Sequence, residues 1–278
     1  MADFQKLGVH DLQCMSRTIR TDILKMVHAA CSGHPGGSLS ATDIVTALYF
    51  NTLNINAKDP QWEDRDRFVL SKGHCCPVLY ACLARRGYFE VNELLTLRKY
   101  GTKLQGHPDM NKCPGIDMTS GSLGNGIGCA VGIAIAGKVR NKNYKVYVML
   151  GDGECQEGVV WEAAMCAAHH KLTNLIAIVD VNKLQIIDTT EKVMNIEPLA
   201  DKWRSFGWKV LEMDGHDMAQ IVATLDYAKT IEGPVVILAQ TVKGKGVSFM
   251  EGVAKWHGAA PSNDELARAI CEIEGVAE

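Results

Sequence analysis

Two short apolar runs, separated by a segment of helical length, constrain the fold of this chain more than any other feature. The first run ends in Gly-Asp-Gly at 151–153, and the second ends in Asp-Val-Asn at 180–182. The interval between them has room for one helix and one strand, which makes one βαβ step. Strands joined in this way end at the same sheet edge, where open α/β folds bind ligands. The spacing therefore predicts a ligand site that includes Asp152 and Asn182.

The residues at these two strand ends suit a magnesium ion bound to a diphosphate. Asp152 and Asn182 offer hard oxygen ligands, and Mg²⁺ is usually held by one or two carboxylates together with phosphate oxygens. Gly153 lets the backbone approach the phosphates, and a helix predicted to begin near Gln156 would direct its N-terminal N–H groups toward them. Gly-Asp-Gly is also a common turn sequence, so the tripeptide alone leaves a plain turn open.

The same alternation of strands and helices extends along the whole chain. Further strands are predicted at 67–70, 209–213 and 235–240, and helices at 9–30, 40–50, 77–86, 93–100, 126–140, 199–206, 218–229 and after 262. Ser40 with Asp43, and Ser262 with Glu265, each resemble the capping box that begins a helix. The order predicts an α/β fold, a doubly wound, mainly parallel sheet flanked by helices, in a single domain over 1–278.

Composition and charge narrow the partners and the compartment. A net charge of −3 offers no basic surface for nucleic acid. The longest apolar, glycine-rich run, 126–137, is shorter than the roughly 20 residues of a membrane span. A dinucleotide-binding fingerprint that begins at Gly124 or at Gly126 would need its third glycine at a position that holds Cys129 or Val131, so this fingerprint is absent. Ten cysteines without a Cys-x-x-Cys pair, and a polar N-terminal segment, predict a reduced, cytoplasmic protein.

Four of the nine histidines lie directly beside glycine on predicted loops: His34, His74, His107 and His257. A single loop histidine is often only solvated, but four of them beside a predicted magnesium site indicate acid–base chemistry, since the pKa of histidine lies near 6.5. His216 follows a strand-exit turn, and the pair 169–170 ends a predicted helix. We interpret these as structural.

With these pieces assembled, the chain resembles the N-terminal, diphosphate-binding half of transketolase, and the match covers nearly all of it in the same order. The motifs are Ser32-Gly33-His34-Pro35, Ser71-Lys72-Gly73-His74, Gly106-His107-Pro108, Gly121-Ser122-Leu123-Gly124, Gly151-Asp152-Gly153, Asp180-x-Asn182-Lys183 and Trp256-His257-Gly258. The resemblance implies one thiamine diphosphate-binding domain over 1–278 that uses Mg²⁺, or another divalent cation such as Ca²⁺ or Mn²⁺.

The resemblance also implies roles for individual residues. The metal ligands would be Asp152, Asn182 and the backbone carbonyl of Leu184. Thiamine diphosphate would be held by Lys72, His74, Gly121, Ser122, Leu123, Gly153, Asn182, Lys243 and His257. The sugar would face His34, His107 and His257. Glu157, and more weakly Glu162, would approach the cofactor of a neighbouring subunit, where they would relay protons.

The implied chemistry agrees with these residue types. Thiamine diphosphate supplies a carbon nucleophile and an electron sink, and histidines with pKa values near the working pH can move the hydroxyl protons of a sugar. We therefore expect transfer of a two-carbon ketol group from a ketose, most simply a ketose phosphate of the pentose phosphate pathway, to an aldose.

The chain departs from full-length transketolases in two respects. Those proteins continue into a pyrimidine-binding domain that carries the activating glutamate and the substrate-phosphate arginines. The resemblance here ends with the first half, which implies one subunit of a split transketolase, paired with a separate C-terminal subunit in a heterotetramer. Gly37 also replaces a small polar residue, so one diphosphate contact is expected to be missing.

Two alternative interpretations stay open. Deoxyxylulose phosphate synthase and the α-subunits of oxo-acid dehydrogenases share the Gly-Asp-Gly and asparagine pattern, although the loop histidines favour transketolase. A non-catalytic cofactor-binding subunit is the alternative from a different class, but such a protein would have no use for sugar-facing histidines.

Overall fold

The computed structural model describes residues 6–275, and its centre is a five-stranded parallel sheet. The strands are β1 (Arg67–Leu70), β2 (Val146–Gly151), β3 (Leu175–Val181), β4 (Lys209–Asp214) and β5 (Val235–Gln240), in the order β1-β2-β3-β5-β4. Every neighbouring pair is parallel. The predicted fold class and the predicted βαβ step are therefore confirmed.

Helices cover both faces of this sheet. They are α1 (Val9–Ala29), α2 (Pro35–Ala47), α3 (Cys76–Arg85), α4 (Asn125–Val139), α5 (Gly158–His169), α6 (Thr190–Met194), α7 (Leu199–Ser205), α8 (Met218–Ala228) and α9 (Asn263–Glu274). None of the helices within 6–275 is long and apolar enough to cross a membrane.

Alternate residues of each strand enter different hydrophobic cores. In β2, Tyr147 and Met149 pack with α1, α2 and α3, whereas Val146, Val148 and Leu150 pack with α4, α5 and α7. Successive side chains of a strand point to opposite faces, so a strand covered on both faces must be apolar at every position. This requirement explains the uninterrupted apolar runs that form β2 and β3. Because every neighbouring pair is parallel, the carboxyl ends of all five strands lie at one edge.

The predicted start of α2 is wrong. The helix begins at Pro35, with His34 as its N-cap residue, because the fixed φ of proline suits the first turn of a helix. Ser40 and Asp43 therefore lie inside the helix and do not cap it. Both contact distant segments instead: the hydroxyl of Ser40 donates to Asp180 at 2.6 Å.

Two other boundaries differ from the sequence prediction. In place of a helix over 93–100 there is a short 3₁₀ helix, Val91–Thr96, followed by turns. After Gly-Asp-Gly, a 3₁₀ turn over Gly153–Gln156 precedes α5, which begins at Gly158. The predicted capping box of α9 is confirmed, since Ser262 accepts from the Glu265 N–H and Glu265 accepts from the Ser262 N–H.

Candidate active site

A cavity of about 520 Å³ lies at the carboxyl edge of the sheet. Most of the predicted site residues line it: His34, Lys72, His74, Gly121, Leu123, Asp152, Gly153, Glu157, Asn182, Leu184, Lys243 and His257. Ser122 and His107 are exposed and do not line it. The ring of His107 nevertheless lies beside the wall, because a Cβ added to Gly121 would be 3.6 Å from its Cγ atom. Tertiary folding thus gathers residues from seven separate motifs.

The side-chain oxygens of Asp152 and Asn182, which follow β2 and β3, lie in this cavity. Asp152 is 3% exposed, and its carboxylate accepts from the Gly153 N–H at 2.7 Å and from the Lys183 N–H. The side-chain oxygen of Asn182 accepts from the Leu184 N–H at 3.1 Å. Burial, and then the charge of Asp180, raises the pKa of Asp152 to about 6. A buried carboxylate in this state is stabilised by a bound cation.

The donor set fits a magnesium ion that also binds phosphate. Within residues 6–275 there is no group of three or more His, Cys, Asp or Glu side chains arranged for a metal. The predicted set instead combines one carboxylate with an amide and the Leu184 carbonyl, and Mg²⁺ needs few protein ligands when phosphate oxygens supply others. Lys243 lies next to the same carbonyl, with its Nζ 3.1 Å from the Leu184 oxygen.

Behind these groups lies a buried ion pair that sequence reasoning did not identify. The ammonium of Lys72, 2% exposed, donates to the carboxylate of Asp180, which is fully buried. Asp180 also accepts from the amide of Asn182 at 3.1 Å and from the hydroxyls of Ser40 and Thr241. Burial would raise the pKa of Asp180, but the Lys72 charge and these hydrogen bonds lower it overall.

The ion pair gives Lys72 a structural role in addition to the predicted contact with the cofactor. Its Nζ also donates to the Gly37 carbonyl at 2.9 Å, so much of its donor capacity serves the protein interior. Since Asp180 accepts from the amide of Asn182, the pair fixes the orientation of the asparagine oxygen, which is a predicted metal ligand. The signal in the sequence was Asp180 itself, an acid at the end of a fully apolar strand.

Glu154 is a second buried acid beside the cavity that the sequence did not single out. It is 2% exposed, and it accepts from the Gly124 N–H at 2.7 Å, from the Gly151 N–H at 2.9 Å and from the hydroxyl of Ser71. One carboxylate thereby ties the segment 121–124 to the Gly-Asp-Gly turn. Both of these segments are predicted to hold the cofactor.

The glycine at position 37, where the resemblance leads one to expect a small polar residue, lies against the buried thiol of Cys75. A Cβ atom on Gly37 would lie 2.6 Å from the Cys75 sulfur, so the buried thiol occupies the space that a side chain would need. Cys75 and Cys76 are both buried at the beginning of α3, as expected for packing residues. The expected missing diphosphate contact stays a prediction.

Three imidazole rings from distant loops meet in the cavity. The centroid distances are 5.2 Å for His34 and His74, 5.4 Å for His34 and His257, and 5.2 Å for His74 and His257. The Nζ of Lys243 lies 2.9 Å from Nδ1 of His257. A protonated lysine can only donate, so this contact assigns Nδ1 of His257 as acceptor and leaves the proton on Nε2.

The cluster favours neutral imidazoles. Burial, followed by the charge of Lys243, lowers the pKa of His257 to about 3. Burial together with neighbouring cationic groups also lowers the pKa values of His34 and His74 to about 4. Neutral rings can both accept and donate a proton, which is what acid–base chemistry on hydroxyl groups requires.

His216 lies outside the cavity and has a structural environment, in keeping with its interpretation from the sequence. Its Nδ1 contacts the Asp43 carboxylate at 2.9 Å, and its Nε2 accepts from the Val242 N–H at 2.8 Å. Both ring nitrogens are therefore engaged in joining α2 to the segments after β4 and β5.

The lowered histidine pKa values predict acid sensitivity. As the pH falls, the unfolded chain, with histidine pKa values near 6.5, takes up protons before the folded chain does. The contribution of these histidines to the free energy of unfolding should therefore be complete above about pH 6.5 and decrease toward pH 4. Thermal unfolding at a series of pH values measures this slope. His257→Gln should flatten it, whereas the exposed His169→Gln should not; equal slopes in all three proteins would refute the prediction.

Comparison with known proteins places this arrangement in a family. The family described as "Transketolase, thiamine diphosphate binding domain" matches residues 12–274. The chain is 43% identical over 270 residues to a subunit of the apulose-4-phosphate transketolase of Phocaeicola vulgatus, covering 96% of this chain and 95% of that protein. It is 45% identical over 265 residues to the 6-deoxy-6-sulfo-D-fructose transketolase subunit SqwG of a Clostridium species, covering 95% and 96%.

Solved structures agree with this match. Transketolase from Campylobacter jejuni superimposes with a TM-score of 0.92 at 34% identity, over 96% of this chain and 43% of that one. The chain thus spans less than half the length of that transketolase. From the match over 12–274 and the shared fold, this chain belongs to the transketolase family of thiamine diphosphate-binding domains.

Proposed function

We propose that this chain is the cofactor-binding subunit of a split transketolase. Together with a separate C-terminal subunit, it transfers a two-carbon ketol group from a ketose to an aldose. The observation that carries the proposal is the convergence of His34, His74 and His257 on the cavity that also holds the oxygens of Asp152 and Asn182. The proposed metal–diphosphate site and the proposed site for sugar hydroxyl groups would thereby be adjacent.

The cofactor would occupy the cavity with its charged end at the strand termini. Asp152, Asn182 and the Leu184 carbonyl would hold a divalent cation, Mg²⁺ or alternatively Ca²⁺ or Mn²⁺. Lys72, His74, Gly121, Ser122, Leu123, Gly153, Asn182, Lys243 and His257 would hold thiamine diphosphate. The bound cofactor supplies the carbon nucleophile and the electron sink of ketol transfer.

The protein's own part in the chemistry is to move protons. His34 and His257 line the cavity as neutral rings, and each can donate a ring proton to a sugar oxygen and then take a proton back at the same nitrogen. His107 would contact the sugar from the exposed rim. Glu157, exposed at the beginning of α5, would relay protons toward the cofactor of a neighbouring subunit.

A partner protein is supported by the surface around the cavity. Ile186 and Ile187 line the cavity although they are 69% and 78% exposed, and apolar groups at the rim of a site are typical of surfaces that another protein covers. Relatives of nearly the same length are themselves named as subunits of transketolases. We propose a heterotetramer in which the partner closes the cavity and contributes a pyrimidine-binding domain.

The relatives' names also suggest a substrate class. One is named for apulose 4-phosphate and another for 6-deoxy-6-sulfo-D-fructose, so a ketose with an anionic terminal group is the proposed donor. An ordinary pentose phosphate belongs to the same class.

Partner dependence provides the direct test of this function. The chain alone should show no ketol transfer, whereas the chain with its co-purifying partner should convert xylulose 5-phosphate and ribose 5-phosphate, or a sulfo- or branched-chain ketose donor, into the two-carbon transfer product. Mass spectrometry of the products measures this, and light scattering measures the assembly. A complex that turns over no ketose donor would overturn the proposal, and turnover by the chain alone would refute its dependence on a partner.

A further inference from the structure

Arg98 lies in a strained turn at the edge of the site. The sequence predicted a helix here, but Arg98 has a φ of 60°, in the left-handed region that residues other than glycine rarely adopt. Its N–H donates to the Leu104 carbonyl at 2.9 Å, which holds the turn. Strained backbone of this kind is often kept where it directs a side chain to a functional position.

The side chain of Arg98 contacts two loops that are far apart in sequence. Its guanidinium donates to the Ser32 hydroxyl at 2.7 Å and lies 3.4 Å from Nδ1 of His34. It also lies against Gly106, where an added Cβ would be 3.1 Å from its Nε atom. One planar group therefore joins the loop that carries His34 to the loop that carries His107.

Among the described residues, no carboxylate competes for this guanidinium. Within 6–275, Arg98 forms no ion pair with any Asp or Glu. A guanidinium has only donors, so Nδ1 of His34 must be the acceptor in their contact. The ring proton of His34 then resides on Nε2, at the opposite edge of the ring, which lies 3.8 Å from an added Cβ on Gly258.

We propose that Arg98 is a positioning residue that joins the two Gly-His-Pro loops and holds His34 as the Nε2–H tautomer. His34 then offers an N–H donor, and after donating it can take a proton at the same atom. The importance of His34 and His107 for sugar chemistry rests on the proposed function, but the tautomer and the loop contact do not.

The pairing of arginine with glycine explains both residue types. The planar guanidinium of Arg98 has several N–H donors, so it can contact Ser32 and His34 at the same time while its edge packs on the Gly106 backbone. A lysine ammonium is a single compact charge and could not make this set of contacts. A side chain at Gly106 would push the guanidinium by a few tenths of an ångström. Arg98 and Gly106 should therefore behave as a coupled pair.

The first experiment measures the tautomer in the full chain. Histidine is labelled with ¹⁵N, the His34 signals are assigned with His34→Gln, and long-range ¹⁵N–¹H spectra report which ring nitrogen carries the proton. The unaltered chain should show the Nε2–H form. Arg98→Met and Arg98→Gln should each give a mixture, and the second variant serves if the first does not fold. A pure Nε2–H form in a folded Arg98 variant would overturn the proposal.

The second experiment separates positioning from folding in the assembled complex. Arg98→Met should lower kcat by about 10- to 100-fold, the scale expected for a misplaced catalytic group, with thiamine diphosphate affinity unchanged. Gly106→Ala should reproduce part of this loss and add nothing in the Arg98→Met background. The matched control is Arg140→Met, whose side chain is 65% exposed. Additive effects, or loss of cofactor affinity equal to the loss of kcat, would contradict a positioning role.

These two experiments fail in different ways. A complex without ketol transfer would overturn the proposed function, and the ¹⁵N spectra of the full chain would still decide the role of Arg98. An active complex whose Arg98 variants keep full kcat and a single tautomer would overturn the positioning role alone.

Discussion

Asp152→Ala should weaken Mg²⁺-dependent binding of thiamine diphosphate by about 100-fold or more, which corresponds to about 2.7 kcal/mol. Asp152 is the only carboxylate in the predicted ligand set, and the amide of Asn182 and the carbonyl of Leu184 cannot replace its charge. Calorimetric titration with Mg²⁺, and again with a chelator, measures the effect. Without metal, the variant and the unaltered chain should bind the cofactor equally weakly.

Two controls separate ligation from folding at this position. The Gly153 and Lys183 N–H groups donate to different oxygens of Asp152, so Asp152→Asn keeps one of these two contacts, whereas Asp152→Ala loses both. The asparagine variant also removes the charge, so it should disturb the fold less than the alanine variant and still lose most of the metal effect. Asp226→Ala breaks an exposed ion pair with Lys229 and should leave binding unchanged. Unaltered cofactor affinity in both Asp152 variants would refute the metal assignment.

His34→Gln should lower kcat/KM for ketol transfer by about 10²- to 10⁴-fold, the range typical of a lost general acid–base group. Glutamine can still hydrogen-bond a hydroxyl, but it cannot exchange a proton. Because His34 is assigned to the sugar and not to the diphosphate, cofactor affinity should stay within about two-fold of the original value. Steady-state kinetics of the complex and titration with thiamine diphosphate measure the two quantities.

The exposed His169→Gln provides the matched control for this prediction. A His34→Gln complex that keeps kcat/KM within a few-fold of the original would assign the proton transfers to other groups, with His257 as the first candidate. A proportional loss of cofactor affinity would instead move His34 into the cofactor site.

Local patterns predicted the layers and the ligand edge of this fold. The fully apolar runs that became β2 and β3 could be recognised without structure, since a strand buried on both faces leaves no polar position. Parallel pairing then required both strands to end at one edge, which brought Asp152 and Asn182 together. The four loop histidines were recognisable because each lies beside glycine.

The same local rules gave wrong predictions for the start of α2 and for the segment 93–100. Ser40 and Asp43 have the spacing of a capping box, but Pro35 begins the helix earlier, and both side chains bind elsewhere: Ser40 to Asp180 and Asp43 to Arg20. The segment 93–100 has helical composition, yet its 3₁₀ helix ends at Thr96, and Arg98 then adopts a left-handed conformation. Pro35 is a neighbouring residue that local rules could have used, but the partners of Ser40 and Asp43 lie in other segments of the chain.

The sequence by itself determined the order of the strands and most helices and the sheet edge at which the cavity lies, because periodicity and turn chemistry depend on neighbours along the chain. The same local reasoning singled out Asp152, Gly153, Asn182 and the four loop histidines, whereas the other candidate site residues followed from the resemblance to transketolase. Only the tertiary structure decided that Lys72 pairs with Asp180, that Glu154 ties two glycine-rich segments together and that Arg98 joins two histidine loops. These contacts link residues up to 108 positions apart. A buried charge or hydrogen-bond donor takes whichever partner the packed chain brings within reach, and that choice exists only after the strands have aligned.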